Sequence, residues 1–187
     1  MPRQVFLFDR PRRFVAGTVG VPGERTFYLQ ATDGARVVSV ALEKAQVAIL
    51  AERVEQLLDE IAAATGPAGS EPTDNGALEQ PVEEEFRVGA MGLAWDRENG
   101  VVIIEAQAPF EDPEIAERTL LADVEEGPDA LRVLLLPAVA RAFAERARLV
   151  VSAGRPPCPL CGQPLDPGGH ICPRQNGYHR RVPLSAQ

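Results

Sequence analysis

Four residues near the C-terminus have the types and the spacing of a metal site. Cys158 and Cys161 form a Cys-x-x-Cys pair in CPLCG, and His170 and Cys172 stand two positions apart in GHICPR. Zinc takes four tetrahedral ligands, and a Cys-x-x-Cys turn delivers two thiolates from one knuckle, with the following glycine letting the chain fold back. The intervening QPLDPGG is rich in turn formers, which suits two knuckles facing each other across one ion. The expected set is therefore Cys158, Cys161, His170 and Cys172. His179, seven positions beyond Cys172, is the rival for the fourth place. Four protein ligands close the coordination shell, so the chemistry expected is structural, with no open position for a reacting water. A segment of this length has almost no core of its own, and zinc binding, worth roughly 10–16 kcal/mol in small zinc modules, would fold it.

The residues before this segment lack the usual catalytic partners. Both histidines and all three cysteines lie from Cys158 onward, so residues 1–150 cannot assemble a Ser-His-Asp or Cys-His site alone. Carboxylates are plentiful, at Glu83 to Glu85 and between Glu111 and Asp129, but clustered acids in loop-like sequence read first as a solvated face. The glycines of FVAGTVG and FRVGAMG precede neither Gly-Lys-Ser/Thr nor a helix in the dinucleotide-binding arrangement; close backbone contacts explain them better. Asp9-Arg10-Pro11-Arg12-Arg13 is a basic knot whose simplest use is pairing with the chain's own acids.

Charge divides the chain. Its net charge is −8, yet residues 1–150 carry −11 and the remainder +3. An acidic body repels a phosphate backbone, which disfavours nucleic acid as the main partner and leaves only the basic tail to touch it. The chain shows no apolar run long enough for a membrane span, and Asp9 and Arg10 interrupt the place where a signal peptide would continue. Three cysteines confined to one segment make a poor disulfide framework and a good ligand set in a reducing compartment, so a cytoplasmic protein is expected.

Two kinds of element must position these groups. QVFLF, RFVAGTVG and the two runs around Asp33-Gly34 read as strands, the last two joined as a hairpin. LEKAQVAILAERVEQLLDEIAAATG is an amphipathic helix with Val47, Leu50, Val54, Leu57, Leu58 and Ile61 on one stripe, stopped by Gly66-Pro67. Residues 66–82 have no apolar period and read as a linker or long exposed loop. Strands resume in EEFRVGAMGLAWD and VVIIEAQAPF around Asn99-Gly100, then LRVLLL, and Pro137 opens a second helix. The expected fold is α+β: mostly antiparallel sheet packed by two amphipathic helices, as an acidic body 1–154 (halves about 1–65 and 83–154) and a zinc-ribbon-like segment 155–187.

The two halves share Phe-x-x-Gly-x-x-Gly at Phe14 and Phe86. They also share identical residues at a constant offset of 93, from Val40/Val133 to Arg53/Arg146. A βββα duplication and the mutual likeness of Ala-Glu-Arg helices in a GC-rich genome both account for this.

RFVAGTVGVPGERTFYLQA, VALEKAQVAILAERVEQLLDE, FRVGAMGLAWD and RPPCPLCGQPLDPGGHICPRQNGYHR together resemble an uncharacterised actinobacterial family known only as a domain of unknown function. The resemblance covers nearly the whole chain and implies no catalytic residue. It places arginine more typically at the position of His179, which favours His170 as ligand. It also implies a shared pathway or complex with a phosphatidylinositol-kinase-like protein and a phosphoglycerate-mutase-like phosphatase. The function expected is a zinc-binding adaptor that docks another protein. The alternatives are a carboxylate- and arginine-based enzyme acting on a phosphorylated substrate, for which a pocket gathering Arg10, Arg12 or Arg13 with acids would speak, and nucleic-acid binding through Arg155, Arg174, Arg180 and Arg181.

Overall fold

In a computed structural model, residues 2–154, 157–163, 165 and 170–172 are described. The chain runs β1 (Val5–Asp9), β2 (Arg13–Val19), β3 (Thr26–Asp33), β4 (Arg36–Leu42), α1 (Lys44–Thr65), β5 (Glu84–Arg87), β6 (Ala90–Asp96), β7 (Val101–Gln107), α2 (Pro113–Thr119), β8 (Ala130–Leu135) and α3 (Pro137–Ser152). The strands form two four-stranded sheets, ordered β2-β3-β4-β5 and β1-β8-β7-β6. The α+β class expected from sequence is what the chain adopts. Two details differ among the described residues: there are three helices instead of two, and the second half contributes four strands where three runs were read, so the βββα pattern is ββββα in each half.

Local signals explain most elements. Gly34 takes φ 57 in a two-residue turn between the paired Asp33 and Arg36, and Gly100 takes φ 66 at the end of the β6–β7 turn. There the Asp96 carboxylate accepts from the Glu98 and Asn99 backbone N–H groups, both at 3.0 Å. At the start of α1 the Gln46 side chain accepts from the Glu43 backbone N–H at 2.8 Å, and Gly66 closes the helix by donating to the Ala62 carbonyl. The short α2 was not expected in the acidic 111–129 stretch. It is nucleated by Asp112, whose carboxylate accepts from the Glu114 and Ile115 N–H groups, with Pro113 at the first helical position.

The long-range pairing is reciprocal. Each half has a three-strand antiparallel meander, β2-β3-β4 or β6-β7-β8, and each meander is completed by the first strand of the other half. β1 pairs in parallel with β8 from Val5↔Ala130 to Asp9↔Leu134, and β5 pairs in parallel with β4. The helices cross over as well: α1 and α3 pack on each other, while α3 lies against β2 and α1 against β6. One core results, with Leu29, Val40 and Leu42 from one sheet meeting Val102, Ile104, Val133 and Leu135 from the other beside Val47, Val54, Ala140 and Ala144 of the helices. Phe14 and Phe143 stack with ring centroids 4.6 Å apart.

The faces of the sheets turned away from this core are also covered. In the first sheet a Cβ on Gly17 would lie 2.5 Å from the Leu78 side chain, so of the linker or long exposed loop expected for 66–82 residues 66–72 are exposed while Leu78 packs down on the sheet. In the second, Leu120 and Leu121 sit over Gly92 in the same manner. Below them is a buried ion network. Glu105 accepts from Arg3 Nη2 and from Arg132 Nε, each at 2.6 Å, and from the backbone N–H of Leu121 at 3.1 Å. The side chains of Arg3 and Glu105 are both fully shielded from solvent, and Arg3 also donates to the carbonyls of Thr119, Ala122 and Pro128. Removing one partner strands a buried cation, at a cost of about 3–5 kcal/mol. Glu105→Gln is expected to lower unfolding free energy by about that amount in urea denaturation; a loss under about 1 kcal/mol would mean that water reaches the two arginines.

Candidate metal centre

The ligand atoms of Cys158, Cys161, His170 and Cys172 all lie within 4.8 Å of one another, so the structure brings the four sequence-selected residues into one cluster. Cys158 Sγ and Cys172 Sγ are 3.9 Å apart, and Cys161 Sγ is 3.2 Å from His170 Nε2. Tetrahedral zinc–sulfur bonds of about 2.3 Å place sulfurs about 3.8 Å apart, so the donor set and its spacing fit one tetrahedral ion. Cys158 and Cys172 are buried; Cys161 and His170 are half-buried. His179 lies outside the described residues, as do Arg155, Arg174, Arg180 and Arg181.

The first knuckle is built by its backbone. Gly162 takes φ 76, its N–H bonds the Cys158 carbonyl at 2.8 Å, and the Cys158 N–H bonds the Gln163 carbonyl at 2.7 Å. The Leu160 N–H points at Cys158 Sγ, 3.4 Å away. Backbone N–H groups of Cys161 and Leu160 aimed at this sulfur push the Cys158 thiol below its ordinary range, towards the thiolate a metal requires. On the other side His170 Nδ1 is buried and has no hydrogen-bond partner among the described residues, while Nε2 faces the thiols.

The arginine knot has a separate fate. Arg12 pairs with Glu79 at 2.7 Å and Arg13 with Asp74 at 2.6 Å, as expected for self-pairing, while Arg10 is exposed and its nearest acid is the adjacent Asp9. Sequence reading missed the third member, Arg146, which stands mid-helix in α3 among alanines. It is almost fully buried and donates to the carbonyls of Ala16, Asp74 and Gly76 and to the Asp74 carboxylate. A cleft of about 350 Å³ between β2 and α3 is lined by Arg12, Arg13, Arg146, Glu71 and Asp74 among others. A pocket joining this arginine knot to acids therefore exists, but each of its guanidinium groups already has a partner within the chain. Its visible work is to strap residues 73–79 across β2 and α3.

The Arg13 guanidinium holds the Asp74 carboxyl down at about 2, with help from the Gly76 N–H and against the effect of burial. A carboxyl depressed in the folded state adds stability that is complete above its unfolded value near 4 and fades as pH falls towards 2. Asp74→Asn should therefore be less stable than the parent by a constant margin at pH 6–8, with the two denaturation curves converging as pH drops from about 4 to 2. A margin independent of pH down to 2 would show that the charge of Asp74 is not what holds the strap.

No helix among the described residues is long and apolar enough to cross a membrane. No curated protein and no solved structure matches the chain. The model of one family does match, over residues 6–172, from β1 to the last of the four clustered residues. The chain belongs to that family, described as a protein of unknown function, DUF3090.

Proposed function

We propose that the chain is a zinc-ordered protein-interaction module in which Cys158, Cys161, His170 and Cys172 hold a structural zinc ion and the C-terminal segment docks another protein. The observation that carries this reading is the convergence of three sulfurs and one imidazole within 4.8 Å. With all four positions supplied by the protein, the ion has no vacant place for substrate or water, and its contribution is to fold the segment that carries it. The free thiols suit a reducing, cytoplasmic setting. Residues from Val151 onward carry +3 against −11 in the rest, so the surface ordered by zinc suits an acidic partner. The family resemblance directs the search for that partner to kinase-like and phosphatase-like proteins of a shared pathway.

The enzymatic alternative rests on the β2–α3 cleft. Its arginines are engaged by Asp74, Gly76, Ala16 and Glu79, which leaves none of the guanidinium groups lining that cleft free to bind a transferred phosphoryl group. Turnover of a phosphorylated substrate that disappears in Asp74→Asn would reverse this preference.

Metal analysis of the purified chain should give one zinc per molecule. Cys158→Ser and Cys172→Ser should each lower that content at least tenfold while leaving the main thermal transition within a few degrees of the parent. A collapse of the whole transition would instead place the metal site inside the main core. Affinity purification from the native host with Cys172→Ser should lose the proteins bound by the parent; an unchanged set would remove the C-terminal segment as the docking surface.

A further inference from the structure

Most guanidinium groups of the acidic body have a partner: Arg12, Arg13, Arg132 and Arg146 meet carboxylates, and Arg36 takes the Leu7 carbonyl. Among the described residues, only the side chains of Arg25, Lys44, Arg97 and Arg118 make neither an ion pair nor a hydrogen bond. Arg97 and Arg118 stand singly, in the β6–β7 turn and in α2. Arg25 and Lys44 share a cleft.

This cleft, of about 220 Å³, lies where the β2–β3 connection, the first residue of α1 and the exit of α3 meet, and it is walled by Gly23, Arg25, Phe27, Lys44 and Gly154. The Arg25 guanidinium carbon stands 5.0 Å from the centroid of the Phe27 ring, and Phe27 is buried. A cation over an aromatic ring uses its face, which leaves the in-plane N–H donors of the guanidinium free. Lys44 is the only lysine of the chain, and its ammonium lies 3.8 Å from where a Cβ on Gly154 would stand.

Ordinary structural roles account for these cations only in part. The C-terminal end of α3 attracts an ammonium, yet among the described residues no carbonyl there accepts a hydrogen bond from Lys44. Lys44 also opens α1, at the helix end that disfavours cations, and the first turn of α1 holds no acid. The acids adjacent in sequence do not neutralise the pair: Glu43 turns to Arg87 at 3.3 Å, and Glu24 forms no ion pair among the described residues. Two like charges therefore face one small space in a body with acids in excess, an arrangement that a bound anion would relieve.

We infer that this cleft binds a phosphate group, either as the free ion or as the terminal group of a larger molecule whose remainder stays outside. Two cations match a dianion better than a carboxylate, and a phosphate monoester carries about −1.5 to −2 at neutral pH with three oxygens for the donors of Arg25 and Lys44. At about 220 Å³ the space is below the roughly 300 Å³ at which sites for drug-sized organic ligands begin, so it suits one such group. The acidity of the body does not forbid it, because exposed charges farther than about 8 Å are largely screened at physiological ionic strength while the two cations act at contact. The site goes beyond the protein-interaction reading and does not depend on the metal.

Calorimetric titration of the full-length chain near neutral pH and at constant ionic strength tests it, with inorganic phosphate, glycerol phosphate and acetate as probes. Phosphate should bind at one site in the millimolar range or tighter, and acetate should not bind. Glycerol phosphate binding tighter than inorganic phosphate identifies the terminal group of a larger molecule, and weaker binding identifies the free ion. Lys44→Gln and Arg25→Gln should each weaken phosphate at least tenfold, while Lys44→Arg should retain it, all with zinc content unchanged. Thermal unfolding separates binding from packing: phosphate should raise the transition of the parent and of Lys44→Arg but not that of Lys44→Gln, whereas a merely structural Lys44 would shift the transition equally with and without phosphate. Three results would overturn the inference: no binding of either phosphate probe, equal stabilisation by acetate, or phosphate affinity unchanged in both glutamine variants.

Discussion

The pairing of β1 with β8, and of β5 with β4, is the constraint from which the rest of the fold follows. Parallel neighbours cannot be joined by a tight turn, so each pairing forces the intervening chain to travel across the molecule and return. That travel carries the whole of one meander and its helix between β1 and its partner. Neither half can finish its own sheet, and α1 and α3 accordingly cover strands of the opposite half. The two halves share one core because each lends the other a strand and a helix face.

Reciprocity extends to the polar interior. Gln30 faces Ser39 across β3–β4, one register step from Leu29↔Val40; Glu105 faces Arg132 across β7–β8, one step from Ile104↔Val133. Both are fully buried, and each binds the segment that covers its sheet, Gln30 through the Glu79 backbone and Glu105 through the Leu121 N–H. Buried polar side chains in place of apolar ones give each cover a fixed register, since an apolar face would accept a sliding contact. The strain of this arrangement is visible at Leu121, which holds φ 60 above Gly92.

What the sequence made legible was local. The turns at Gly34 and Gly100, the α1 stripe, the Pro137 start of α3 and the clustered thiols and imidazole each depend on residues a few positions apart. The offset of 93 aligned β4 with β8 and α1 with α3, which do occupy corresponding places. The Phe-x-x-Gly-x-x-Gly match did not: Phe14 lies in β2 and Phe86 in β5, strands with different roles. EEFRVGAMGLAWD read as one strand but breaks at Gly89, where a Cβ would meet Pro109 backbone at 2.7 Å, a contact set from outside the segment. The Asp112-Pro113 cap was visible in sequence and was hidden by the surrounding acids. Arg146 could not be recognised, because its partners lie in a loop some seventy positions away and in β2.

The separation of β1 from β8 also bears on how the chain is made. Val5 meets Ala130 only after about 125 further residues have left the ribosome, so the apolar run VFLF emerges before the other seven strands and is among the last to be paired. Contacts so distant in sequence are slow to form, and an unpaired strand is open to the wrong neighbour in the meantime. During synthesis β1 is thus a free strand in search of an edge, and β6, the outer strand of its own sheet, is made before the β8 strand that β1 belongs beside.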